Sequence, residues 1–192
     1  MEPGTKRMKD LLLLFALGFV LSNLCIAGKP INNSAFRTER HIAKEPMGNK
    51  TVSYAGVTFS YSNNWEIEME EYEGGLYRIY CEKQGISASE TFSIVWASVE
   101  IDPIEWIQGT IEEIKSEPAF KNVNTKSIKS YRFKNYDAFS MDYYGKIFDE
   151  KYYGRIISFK DGKKSVLIIK YSDSEYKIDT EFGVIENSLK IE

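Results

Sequence analysis

Histidine is nearly missing from this chain. Its single copy, His41, stands in a polar stretch ahead of the first strand signals, so a Ser-His-Asp arrangement or a Cys-His pair inside the folded part is excluded. Cysteine is almost as scarce. Cys25 lies in an apolar leader, and a lone Cys81 cannot staple its own domain, so stability has to come from a core. Positive charge is not in excess either: 25 Lys and Arg stand against 28 Asp and Glu, with no long tail of either sign. A surface that neutralises a nucleic-acid backbone needs clustered Lys and Arg, so nucleic acid is excluded as a partner. No ligand-spaced His/Cys cluster and no phosphate loop is present. The sequence therefore assigns no catalytic residue, no metal site and no cofactor.

Long apolar runs are also lacking, with one exception at the start. Lys6, Arg7 and Lys9 precede an apolar run from Leu11 to Leu21, and Cys25-Ile26-Ala27 ends on the small residue that signal peptidase requires. Residues 1–27 read as an export signal cleaved after Ala27, which places the mature protein in the periplasm or outside the cell. A membrane-spanning helix needs about 20 apolar residues, and Ser22 and Asn23 interrupt this run. A lipoprotein signal would acylate Cys25, but it favours a small residue just before the cysteine and an aliphatic one three before, where Leu24 and Ser22 stand. Membrane contact thus requires that the leader be retained or Cys25 be lipidated. Removing the leader takes three basic and two acidic residues from the 25 and 28, leaving 22 and 26, a net charge of −4.

Residues 28–50 are polar, carry Pro30 and Pro46 and have only scattered apolar positions, so they read as a flexible tether. Residues 51–192 read as one folded domain, an ordinary single-domain size. Val57-Thr58-Phe59-Ser60-Tyr61 alternates, and so do Trp65, Ile67 and Met69 with Glu66, Glu68 and Glu70. After a Gly74-Gly75 turn, Leu76 to Lys83 runs back with Cys81 in register with Tyr77 and Ile79, a buried thiol; Thr91 to Ile101 makes a fourth strand. The period then changes. Asp102 as N-cap, Pro103 at the first helical position and Glu105 three residues after the cap start a helix whose stripe is Ile104, Ile107, Ile111 and Ile114, ending before Pro118. Val123 to Phe133, Tyr136 to Phe148, Lys151 to Lys160 and Lys163 to Tyr171 read as further strands, the last two joined by an Asp161-Gly162 turn. Val166-Leu167-Ile168-Ile169 is apolar on both faces and so central. A last helix from Ser174 carries Ile178, Phe182, Ile185 and Leu189 on one face. Strands, helix, strands, helix make an α+β class: an antiparallel sheet of about seven or eight strands flanked by two helices.

This order resembles the PsbP-like fold, shared by the photosystem accessory protein, a nuclear import factor that binds the Ran GTPase, and many small exported bacterial domains. The likeness rests on Val57-Thr58-Phe59-Ser60-Tyr61 followed by Trp65, on the helix after the first strand group, and on the closing Phe182-Gly183-Val184-Ile185-Glu186-Asn187-Ser188-Leu189. It covers residues 52–191. A proline commonly precedes the tryptophan in such openings; here Ser62-Asn63-Asn64 stands in its place. The resemblance implies an α/β/α sandwich and, since members are mostly binding or assembly-stabilising proteins, a non-enzymatic role.

Two features compete as functional signals. Glu66, Glu68 and Glu70, continued by Glu71 and Glu73, could gather oxygens for calcium but lack the spacing of a dedicated loop, so they read as a solvated strand face and an acidic turn. Tyr143-Tyr144-Gly145 and Tyr152-Tyr153-Gly154 repeat on two strands expected to form a hairpin. Pairing Tyr143 with Ile157 would put Tyr144 and Tyr152 on one face, either as packing or as a stacking platform for a sugar or peptide. Tyr144 and Tyr152 are the expected ligand-binding residues. Trp65, Trp96 and Trp106 lie on apolar stripes and belong to the core. The expected function is non-catalytic binding or assembly in the cell envelope, with an unidentified protein or glycan partner. The alternative is an envelope hydrolase using a carboxylate pair, acting on glycans.

Overall fold

Short alternating strands with tight turns build two sheets that share one core. The protein is described by a computed structural model covering residues 48–83, 90–147 and 149–192. The leader and residues 28–47 of the tether lie outside the described residues. β1 (Asn49–Tyr54) and β2 (Val57–Ser62) form a hairpin closed by Ala55 and Gly56, both at positive φ, and β11 (Lys190–Ile191) adds to β2. Asn49 and Lys50 therefore belong to a strand and not to the tether. Its Val52 alternates with polar Thr51 and Ser53, too short a pattern to read as a strand alone.

The main sheet is antiparallel throughout. β3 (Trp65–Tyr72), β4 (Leu76–Lys83), β5 (Glu90–Ala97), β10 (Lys164–Ser172), β9 (Glu150–Asp161), β8 (Tyr136–Ile147) and β6 (Phe120–Thr125) follow in that spatial order, and β7 (Lys129–Phe133) shares the outer edge of β8 with β6, pairing with residues 136–140. β10 is central and buries Val166 to Ile169, as its two-sided apolar run requires. The hairpin from β9 to β10 pairs Asp161 with Lys164, so the turn is Gly162-Lys163, one residue later than expected. Gly162 takes φ +60°, a value that glycine adopts without cost.

Three sequence-derived boundaries need correction. The fourth strand ends at Ala97 and not at Ile101, because the Ser165 hydroxyl takes over the departing backbone: it accepts from Ile101 N at 2.8 Å and donates to Val99 O at 2.8 Å. The strand expected over residues 123–133 is two strands, β6 and β7. Lys126 N–H donates to Asp142 O at 2.8 Å between them, and a bulge shifts the register between Lys121 and Asn124. The last helix is also two, α2 (Glu175–Thr180) and α3 (Gly183–Ser188). Phe182 sits between them with its ring 5.8 Å from Trp65 and 6.0 Å from Phe92, a buried anchor that a continuous helix would have to give up.

The first helix forms as expected. α1 (Pro103–Ser116) is capped by Asp102, whose Oδ1 accepts from Ile104 N and Glu105 N at 2.9 and 3.0 Å, and it buries Trp106, Ile107, Thr110, Ile111 and Ile114. It lies on β6, β8, β9 and β10. On the opposite face, the small sheet, α2 and α3 cover a cluster that includes Val57, Phe59, Trp65, Phe92, Trp96, Phe159 and Ile178. Each buried aromatic or branched side chain there contributes about 1.5–3 kcal/mol of transfer free energy. Ion pairs reinforce the helical cover: buried Lys170 reaches Glu186 at 2.7 Å, and Lys177 reaches Glu90 at 2.5 Å. Among the described residues, no helix is long and apolar enough to cross a membrane, and no group of three or more His, Cys, Asp or Glu could hold a metal ion.

Candidate functional site

The tyrosine repeat is explained by register. β8 and β9 pair Tyr143 with Gly154, Tyr144 with Tyr153, and Gly145 with Tyr152. Each outer tyrosine thus stands opposite the glycine of the other strand and lies across it. A Cβ at Gly154 would enter the Tyr143 ring, 2.6 Å from its Oη, and a Cβ at Gly145 would meet Tyr152 Oη at 3.0 Å and Lys121 O at 2.8 Å. Glycine is required here for space, since neither residue has positive φ.

This register corrects the expected one. Tyr143 and Tyr152 share the α1 face, their rings 5.8 Å apart at 65°, while Tyr144 and Tyr153 share the other. Tyr144 and Tyr152 consequently lie on opposite faces and cannot form one platform. Tyr144 is 44% exposed, whereas Tyr152 is 3% exposed and packs edge-on against Phe120 at 5.3 Å. Burial raises the pKa of both Tyr143 and Tyr152, so these phenols stay protonated.

On the Tyr144/Tyr153 face, the next register pair is Asp142 with Arg155. Together with Lys126, Glu175 and Ile178 these residues line a cleft of about 260 Å³ between the β8–β9 hairpin and α2. Arg155 Nε donates to Asp142 Oδ1 at 2.6 Å and Nη1 to Asp179 Oδ1 at 2.5 Å, holding α2 to the sheet. The second Asp142 oxygen faces Lys129 at 3.5 Å and Lys126 at 3.9 Å, and Lys126 Nζ also reaches Glu175 at 3.0 Å. Burial alone would raise the Asp142 pKa, but the hydrogen bond and charge of Arg155, aided by the two lysines, bring it below the usual carboxylate value. Burial would likewise lower the Arg155 pKa, and its two aspartates raise it instead. Asp142 and Arg155 are therefore fixed charges at neutral pH, and Asp142 cannot act as an acid.

A carboxyl raised to near neutrality lies elsewhere. Glu113 on α1 is raised to about 7, first by burial and then by the charge of Glu117, and it is not part of the cleft lining. Glu66, Glu68 and Glu71 are exposed along β3, while Glu70 is half-buried and accepts from Tyr72 Oη at 2.5 Å. Cys81 is buried and its thiol pKa is raised by that burial, which leaves it inert.

No protein-family model matches the chain, and no curated protein matches it in sequence. Solved structures do. The solution structure of cyanobacterial PsbP (CyanoP) from Synechocystis sp. PCC 6803 is similar over 85% of this chain and 100% of that one, at 11% identity and a TM-score of 0.53. LpqN, involved in cell envelope biogenesis of Mycobacterium tuberculosis, is similar over 83% and 99%, at 11% identity and a TM-score of 0.46. The first likeness makes the fold PsbP-like; neither assigns a ligand or a role.

Proposed function

We propose that the protein is an exported, non-catalytic binding domain of the cell envelope, and that the cleft between the β8–β9 hairpin and α2 is where it holds its ligand. The leader at residues 1–27 supports the location. One observation carries the binding role: the cleft combines a half-exposed aromatic pair with charges already neutralised by one another, and its half-buried carboxylate Asp142 is locked in the ionised state by Arg155. Such a site orients a bound molecule but offers no group poised to give up a proton at neutral pH.

The test is recovery of the tagged protein from its own host after chemical crosslinking. Wild type should bring down a defined envelope component, and Tyr144→Ala with Tyr153→Ala should lose it while the melting temperature stays within a few degrees. Equal recovery by both proteins would move the binding surface away from the cleft.

Glu113 gives the hydrolase alternative its one foothold, as a carboxyl titrating near 7 beside a second glutamate. Turnover of an envelope glycan that Glu113→Gln abolishes, with folding intact, would replace the binding reading.

A further inference from the structure

We infer that the ligand class of this cleft is a single neutral saccharide ring, an inference that rests on the cleft being the binding site. Four charged residues line it, Lys126, Arg155, Asp142 and Glu175, and their formal charges cancel. Each already has a partner: Arg155 lies between Asp142 at 2.6 Å and Asp179 at 2.5 Å, Lys126 reaches Glu175 at 3.0 Å, and Lys129 faces Asp142 at 3.5 Å, so the balance holds with these outer partners included. A charged ligand would meet no net attraction and would have to break one of these pairs to gain a partner. A purely apolar ligand would strip water from four charged groups and give nothing back. A hydroxylated ring does neither. Each hydroxyl donates and accepts, so it can add to carboxylate and ammonium groups that remain paired, while the C–H face of the ring rests on tyrosine.

Shape argues the same way. Tyr144 and Tyr153 are directly opposed on neighbouring strands, so their side chains lie next to each other on one face. The cleft opens on the face of the sheet and not at an edge, so it has no backbone ladder to offer an extended peptide. At about 260 Å³ it suits one ring better than a chain segment.

Saturation-transfer difference NMR on the full chain tests this with the methyl glycosides of glucose, galactose and N-acetylglucosamine, with sorbitol and a capped neutral dipeptide as controls. At least one glycoside should receive saturation on its C–H face, and sorbitol should not. Tyr144→Ala should weaken that glycoside about tenfold, the loss of one stacking partner, and Tyr144→Phe, which keeps the ring, should retain it. Lys126→Met should weaken it without unfolding the protein, because Lys126 is an exposed side chain. Tyr144-dependent binding of the dipeptide with none of any glycoside would overturn the saccharide class and leave the cleft as the binding site. Absence of any Tyr144-dependent binding across the panel would overturn both.

Discussion

Substituting alanine for Gly154 should be among the most costly single-methyl additions in this protein. Its backbone has an ordinary φ, so the whole cost is steric. The new Cβ would enter the ring of Tyr143, which is 1% exposed and fixed between Gly154 and the edge of Tyr152. A ring so enclosed cannot swing aside, and overpacking of this kind costs about 3 kcal/mol. Tyr143→Ala alone should cost about 4 kcal/mol through the cavity it leaves. The double variant tells the two readings apart, because with the ring gone the extra methyl partly fills the space. It should cost about 4–5 kcal/mol, well short of the sum of about 7, a coupling of about 2–3 kcal/mol. Gly154→Ala with Tyr143→Phe should show no such rescue, since the ring atoms nearest the new Cβ remain. Urea unfolding at constant m-value measures all four proteins, and the single Gly154→Ala change should lower the melting temperature by roughly 10 °C. A Gly154→Ala protein within 0.5 kcal/mol of wild type, taken as about the noise of such data, or strict additivity in the double variant, would refute the register argument.

Other outcomes follow from the same geometry. Ile107→Asp puts a carboxylate at a fully buried position of α1 and should prevent folding or lower stability by more than about 4 kcal/mol, read by circular dichroism during heating. The Glu113 carboxyl, raised from 4.5 to about 7, keeps its proton in the folded state where the unfolded chain has lost it. Stability should therefore be greatest below pH 4.5 as far as this group is concerned, and fall as the pH climbs to 7. Glu113→Gln should gain about 1–2 kcal/mol at pH 8 and nothing at pH 4, compared by melting at both. Lys170→Ala should cost about 3–5 kcal/mol by stranding Glu186, and Lys170→Met with Glu186→Leu should recover most of that loss, measured by urea unfolding. Tyr144→Ala removes a ring already 44% exposed and should cost under about 1 kcal/mol, which makes it a clean probe of binding.

Where period and punctuation were strong, the sequence was sufficient. Asp102-Pro103 gave α1 its start and Pro118 bounded its end, and Gly74-Gly75 and the apolar run of β10 placed their strands. Long-range effects were illegible. The split of the last helix depends on Phe182 meeting Trp65 and Phe92, and the end of β5 depends on the Ser165 hydroxyl, partners 64 residues or more away. The candidate cleft was half visible. Tyr144, one of the two tyrosines expected at the site, does line it, but a register three residues off put Tyr152 beside it. The glycines held the missing signal: placing each opposite a tyrosine sets the register at once, and Asp142 and Arg155 then face each other across the strands. Their opposite charges in the middle of the two strands were the trace of a site that the tyrosines alone did not give.

The small sheet bears on the export proposed for this chain. Its β2 is closed by β11, and Ser60 N–H donates to the hydroxyl of Ser188 at 2.8 Å, 128 residues further along. Until residues 182–191 arrive, Val57 and Phe59 lack their cover and the shared core stays open. Contacts of such long separation form late, after loop closure has been overcome. If the chain is exported as proposed, this late closure keeps it threadable while most of it is being made, the condition that a narrow export channel imposes, and it locks shut only when β11 reaches the far side. The same arrangement makes folding intolerant of anything that delays or masks residues 190–191.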